Sequence, residues 1–375
     1  MPSPHTSFPS STVDNFLPVM KPTSSLVLAA LTIIESVIAA PLITEQANST
    51  GPRFYNGSCT ADTITIRREW RTLSAEEKAA YIDAQQCLIR LPAKSGLQAV
   101  TSRFSDLQGS HKSYTDTIYG DIIHYVGQFL PWHRMMMHAF ETLMRNECNY
   151  TGTMPWWDEQ KDADSGNFFG SNMWDAETGF GGNGTGAEGC LTEGPFANTT
   201  EHIGPMLEYT TYCQKRIWDN EYGVTTGNST LIDLCNSYET YGDFWYCIVR
   251  GSTLSSCCLW PFANGIVNQS YWPHHGAHTA TGGLMADKDA SPGDPVFYLH
   301  HNYIDRLWWK WQAADGEARL WDVSGNTVNE TQFPQQAGVK TSLDTVIQQQ
   351  NIIPDLQVRD VMNAQGGLLC YDYDY

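Results

Sequence analysis

Two histidine clusters constrain this chain more than any other feature. The first comprises His111, the run His124-Tyr-Val-Gly-Gln-Phe-Leu-Pro-Trp-His133-Arg134, and Phe140-Glu141 just beyond it. The second comprises His274-His275-Gly-Ala-His278 and the run Asp294-Pro295-Val-Phe-Tyr-Leu-His300-His301-Asn-Tyr-Ile-Asp305-Arg306. Of 11 histidines only His5 and His202 lie elsewhere. Imidazole ligates zinc, copper, iron and nickel. Two groups of three on helical sequence point to a binuclear metal centre, so the fold must bring helices together that lie far apart in the chain.

The remaining sequence is suited to enclosing such a centre. A chain of 375 residues buries one large core or two modest ones. With 13 Trp, 18 Tyr and 14 Phe that interior is aromatic, and 17% charged residues beside 41% hydrophobic ones argue against disorder. The net charge of −19 and the lack of a Lys/Arg run beyond the leader exclude nucleic acid as a partner. The acidity favours solubility over any specific partner.

The N-terminus reads as a secretory leader. Met20-Lys21 is followed by an apolar segment from Ser24 that ends in small residues before Pro41, with cleavage expected after Ala39 or Ala40. Glu35 and the short run argue against a membrane span and against stable membrane association. Residues 1–40 are therefore expected to be an N-terminal extension and signal, 41–58 a short linker, and 59–375 the catalytic domain. All 10 cysteines lie beyond the leader, an even number that suits a disulfide framework whose pairing the sequence leaves open. A thiolate metal site is the weaker reading, since no CxxC pair occurs and Cys257-Cys258 are adjacent. Sequons at Asn48, Asn56, Asn149, Asn183, Asn198, Asn228, Asn268 and Asn329 suit a glycosylated secreted protein.

The expected fold is mainly α, an antiparallel helix core with long loops and few short strands. Ser74-Ala-Glu-Glu77 is a capping box that opens a helix to about Ile89. A second helix should contain His111, and a third should run from near Pro131 to Glu147. Gly- and Asn-rich sequence over 166–198 reads as a surface excursion without regular structure. Two more helices should follow, one after Pro273 and one with Asp294 as N-cap and Pro295 in its first turn.

Spacing narrows the chemistry. His274 and His278 are one helical turn apart and can chelate one ion. A zinc hydrolase would place Glu after the first histidine of such a pair, and here that residue is His275. His300 and His301 are about 100° apart on a helix, so only one faces a given ion. Asp305, four beyond His301, would orient it, which favours His301 as ligand and His300 as a packing or hydrogen-bonding neighbour. In the first cluster His138 lies about 140° around the helix from His133 and is set aside. His111 joins His124 and His133 by elimination. Two imidazole triads without carboxylate or thiolate ligands suit copper, and open positions would admit O2.

Phe129-Leu-Pro-Trp-His133-Arg134 with Phe140-Glu141, Pro155-Trp-Trp-Asp158, Gly194-Pro-Phe196, and Asp294-Pro-Val-Phe297 through His301 to Asp305-Arg306-Leu-Trp308 resemble the type 3 copper family. Within it, the chain is similar to the short secreted tyrosinases and catechol oxidases of filamentous fungi, over essentially all of 59–375. Arg67-Arg68-Glu-Trp70 resembles the start of that domain and Tyr371-Asp-Tyr373 the tyrosine motif that closes it. The resemblance implies a tyrosinase-type bundle with two copper ions, His111, His124 and His133 holding one and His274, His278 and His301 the other. It places Phe297 over the pair. It implies O2-dependent oxidation of small phenolic substrates, o-diphenols (o-aminophenols among the candidates) to o-quinones, with ortho-hydroxylation of monophenols as a further family activity. A pathway-specific enzyme for one phenolic metabolite or tyrosine-containing peptide would share this sequence pattern. An oxygen carrier would need its site shielded from phenols.

Three departures from the family pattern matter. Many fungal members carry a Cys two residues before the second ligand of the first copper, joined to it as a thioether; here that residue is Ile122. The interval from His111 to His124 is long for these enzymes, and Tyr119-Gly-Asp121 reads as a local insertion. Members that hydroxylate monophenols often have Asn after the first ligand of the second copper, with an upstream Glu. Here the residue is His275, itself a candidate proton acceptor, and Gly265–Trp272 contains no Glu. The balance favours diphenol oxidation. With the chain ending just after Tyr373, no C-terminal lid domain is expected.

Overall fold

The computed structural model describes residues 58–250, 272–329 and 338–375. The expected leader, most of the linker, Cys257, Cys258, Asn48, Asn56 and Asn268 lie outside them. A short strand β1 (Thr65–Arg67) opens the described chain. Ser74 then accepts from the Glu77 amide while the Glu77 carboxylate accepts from the Ser74 amide, and this reciprocal cap starts α1 (Ala75–Arg90). Ser102 and Ser105 do the same for α2 (Arg103–Thr115), which carries His111.

The long helix α3 (Phe129–Cys148) begins two residues before the expected start. Pro131 is its third residue, where a missing N–H costs no intrahelical bond. It stops at Asn149, which adopts the left-handed conformation at φ 54°. Next come α4 (Glu159–Asp164), the strand pair β2 (Thr200–Glu201) and β3 (Tyr212–Cys213), α5 (Asn220–Gly227), α6 (Ser229–Asn236) and α7 (Tyr241–Arg250). Then follow α8 (Pro273–Thr281) and α9 (Phe297–Ala313). The last elements are α10 (Gly316–Leu320), β4 (Val346–Ile347), β5 (Leu356–Gln357), α11 (Val358–Met362) and β6 (Tyr371–Tyr373). α9 begins later than expected. Asp294 accepts from the Val296 amide but spends both carboxylate oxygens on a buried pair with Arg216, so the helix starts at Phe297.

The core is built on α3 and α9, which are antiparallel: His133 meets His301, whereas Phe140, further along α3, stacks on the earlier Tyr298 at 3.6 Å. α9 is buried nearly all round, as a central helix must be. Gly276 lets α8 approach α5 closely, because a Cβ there would come within 2.2 Å of Thr226 Oγ1. β1 pairs in parallel with β6, Arg67 opposite Tyr373, and Cys59–Cys370 bonds the chain beside that pair. Among the described residues Cys87–Cys148, Cys190–Cys213 and Cys235–Cys247 complete the disulfides. No helix among these residues is long and apolar enough to cross a membrane.

The 166–198 stretch is mostly irregular but is no surface excursion. Phe168, Met173, Trp174, Phe180, Leu191 and Phe196 are buried, so apolar anchors fix this loop to the body. Of the described sequons, Asn149, Asn183 and Asn198 are exposed. Asn228 is half-buried and caps α6 through its side chain. Asn329 is buried, so that sequon presents no acceptor at the surface of the folded chain.

Candidate metal centre

Four imidazoles of the two clusters are aimed by a hydrogen bond at Nδ1. α2 presents His111, whose Nδ1 donates to Asp289 O at 3.2 Å. His124 precedes α3 and donates from Nδ1 to Asp121 Oδ2 at 2.9 Å. On α3, one turn in from its start, His133 donates from Nδ1 to Phe129 O at 2.9 Å. His278 on α8 donates from Nδ1 to Met285 O at 2.6 Å. A ring tied through Nδ1 turns the Nε2 lone pair outward, as ligation requires.

Candidate ligand atoms of His111, His124 and His133 lie within 4.8 Å of one another, and so do those of His274, His278, His300 and His301. The groups face each other: the His133 and His301 rings stack at 4.4 Å and 9°. Nε2 of His111, His133 and His274 is buried without a hydrogen-bond partner among the described residues, and Nε2 of His278 and His301 approach to 3.4 Å. Such buried, unpaired nitrogens would be costly unless something accepts their lone pairs. This donor set fits metal ions. Burial, reinforced by neighbouring rings, holds His111, His133, His274 and His301 well below the usual imidazole range, and burial drives His278 down to about 3. They are neutral at ordinary pH, the state that ligates.

His300 hydrogen-bonds, as the sequence suggested: its Nδ1 donates to Glu159 Oε1 at 2.6 Å inside the core. Its Nε2 is buried and unpaired, however, so the second group offers four imidazoles. The expectation that Asp305 orients His301 is wrong. Asp305 accepts from Arg134 Nε, Tyr371 OH and Tyr373 OH, each at 2.5 Å, and pairs with Arg67. Those cations and hydroxyls draw the carboxylate away, and His301 Nδ1 is left without a partner. His275 is partly buried, with Nε2 3.1 Å from Thr279 Oγ1 and its ring against Trp272. His138 stands apart from both groups.

Phe297 touches both groups, 4.1 Å from the His301 ring and 5.7 Å from that of His111. Sequence reasoning missed its counterpart Phe129, whose ring lies 4.5 Å from His133 and 4.7 Å from His274. A signal was present: Phe129 precedes His133 by the same helical turn that separates Phe297 from His301. Asp121 was also missed. Read as part of an insertion, it accepts the His124 and Ile123 amides as well as the His124 ring. Burial opposes its ionisation, yet His124 and Lys288 hold its carboxyl down at about 2. Glu159 was missed too; burial pushes it well above the usual carboxyl range.

Residues 101–314 match the family model described as the common central domain of tyrosinase. The tyrosinase-like protein phomQ1' of Diaporthe leptostromiformis is 33% identical over 322 residues, 83% of this chain and 80% of the relative. The N-acetyl-6-hydroxytryptophan oxidase ivoB of Emericella nidulans is 28% identical over 358 residues, 84% of this chain and 94% of the relative. A polyphenol oxidase structure from Thermothelomyces thermophila aligns with a TM-score of 0.69 at 27% identity, covering 84% of this chain and 90% of that one.

Proposed function

The chain belongs to the tyrosinase family and shares its binuclear copper centre, and from that premise we propose that it is a secreted oxidase that uses O2 to convert o-diphenols to o-quinones. The observation that carries the reading is the facing pair of buried imidazole triads, with Phe129 and Phe297 walling the gap between them. His111, His124 and His133 would hold the first copper and His274, His278 and His301 the second, while His300 stays with Glu159. When bound, the two coppers supply the one-electron changes that let a two-electron donor react with a four-electron acceptor. Each diphenol gives up two electrons and two protons; two diphenols reduce one O2 to two waters. The protein's part is to keep water from the gap, hold six rings at fixed rotation and admit a planar substrate.

The preference for diphenols is supported by His275. The ring following the first ligand of the second copper is packed on Trp272 and bonded to Thr279, where an amide would serve monophenol attack. Oxygen uptake by the copper-loaded protein tests this. Catechols and o-aminophenols should consume O2 at once, and tyrosine-like monophenols should do so only with a catechol primer. Comparable unprimed monophenol turnover would overturn the preference. A narrower second reading is supported by the relative named for a single substrate, N-acetyl-6-hydroxytryptophan: an oxidase of one phenolic metabolite, which would show as uptake confined to few members of a phenol panel. Residues 59–375 form the catalytic domain in this reading, with export supported by the leader sequence and by the disulfides of the described residues.

A further inference from the structure

Between α8 and the turn at Ser291–Gly293, one short segment reaches both imidazole triads. Met285 O accepts from His278 Nδ1 at 2.6 Å, and four residues later Asp289 O accepts from His111 Nδ1 at 3.2 Å. Between them, Lys288 Nζ donates to Asp121 Oδ2 at 3.2 Å, the oxygen that receives His124 Nδ1. His278 belongs to the second triad; His111 and His124 belong to the first. A shift of this segment would rotate rings on both sides at once.

Asp287 shapes the segment. Its Oδ1 accepts from the Asp289 amide at 2.9 Å and the Ala290 amide at 3.1 Å, which fixes the peptide carrying Asp289 O. Its Oδ2 accepts from the Met206 amide at 2.6 Å, tying the segment to a separate loop. Its own amide donates to Leu284 O at 3.0 Å, closing the turn that carries Met285. Upstream, Gly282 and Gly283 take φ of +68° and +56° and lie so close to residues 215–217 that a Cβ would come within 2.1 Å of Ile217 O or 2.3 Å of Lys215 O. The turn is thus clamped at both ends, and Asp287 is buried in its middle without touching an imidazole.

We propose that Asp287 is a positioning residue for both coppers at once: it fixes the Met285–Asp289 turn, and the turn sets the rotation of one triad's His278 and the other triad's His111 and His124. The proposal rests on the six-imidazole reading above. Groups that orient metal-bound histidines typically contribute 10–100-fold in metal affinity, but each usually serves one ion. Here the expected signature is joint loss.

Copper retained per chain is measured during graded dialysis against a chelator, together with the thermal midpoint of the copper-free protein. Asp287→Ala should release both coppers in one phase at roughly 10–100-fold less chelator than the unaltered chain, with the copper-free midpoint displaced far less than that loss implies. Asp287→Asn, which keeps an acceptor for the Asp289 and Ala290 amides, should recover much of the retention. Asp121→Ala should release one copper ahead of the other. Release of a single copper from Asp287→Ala, unchanged retention, or a loss fully matched by a lowered copper-free midpoint would overturn the positioning role. Failure of the unaltered chain to hold two coppers would instead overturn the ligand reading.

Discussion

At the residue scale the sharpest question is which of two adjacent imidazoles meets the second copper. His301 stacks on His133 and packs on Phe297, whereas His300 is pinned to Glu159. His301→Ala should therefore cut bound copper from two per chain to about one and end catechol oxidation, while His300→Ala should keep both ions. Metal analysis of the two variants decides it, and the reverse pattern would exchange their roles. Single residues were only partly legible in the sequence. The i,i+4 pair His274/His278 could be read directly, because a helix puts both on one face. Asp305 misled for the same reason: its spacing to His301 was right, but Arg67 and Arg134, distant in sequence, claim its oxygens. Asp121 was hidden because a carboxylate in a loop carries no periodic signal.

At the level of elements, helices with caps and one apolar face could be read closely. Ser74→Ala should lower stability by about 1 kcal/mol, measurable as a denaturation midpoint, since it removes the cap from an otherwise intact α1. The 166–198 loop and the β1–β6 pair were not legible: apolar anchors without a period look like loop, and three-residue strands are too short to show alternation. Strand β2 supplies a pH test. Glu201 is buried beside Gln108, and burial raises its carboxyl from 4.5 to about 8. The unfolded chain ionises near 4.5, so this group removes stability as pH rises from there toward 8. Glu201→Gln should then be more stable than the unaltered protein at pH 9 and little different at pH 4. An equal difference at both pH values would show that the charge is not responsible.

For the whole molecule, burying several neutral histidines couples folding to protons. Their folded values lie far below 6.5, His278 at about 3, so the unfolded chain takes up more protons as pH falls below 6.5. The stability they permit is complete above 6.5 and is lost progressively below it. The copper-free protein should therefore melt at a lower temperature at pH 5 than at pH 7, by calorimetry, and a flat profile would mean that these rings are not buried neutral. The overall plan was legible because two distant clusters had to converge, and α3 packed on α9 is how they do so. If the two triads work as one centre, neither copper alone supports turnover, and a copper titration of the copper-free chain, followed by catechol-driven oxygen uptake, measures this. Uptake should track the fraction of chains holding both ions and reach its maximum at two coppers per chain; full activity at one copper per chain would mean that a single triad suffices.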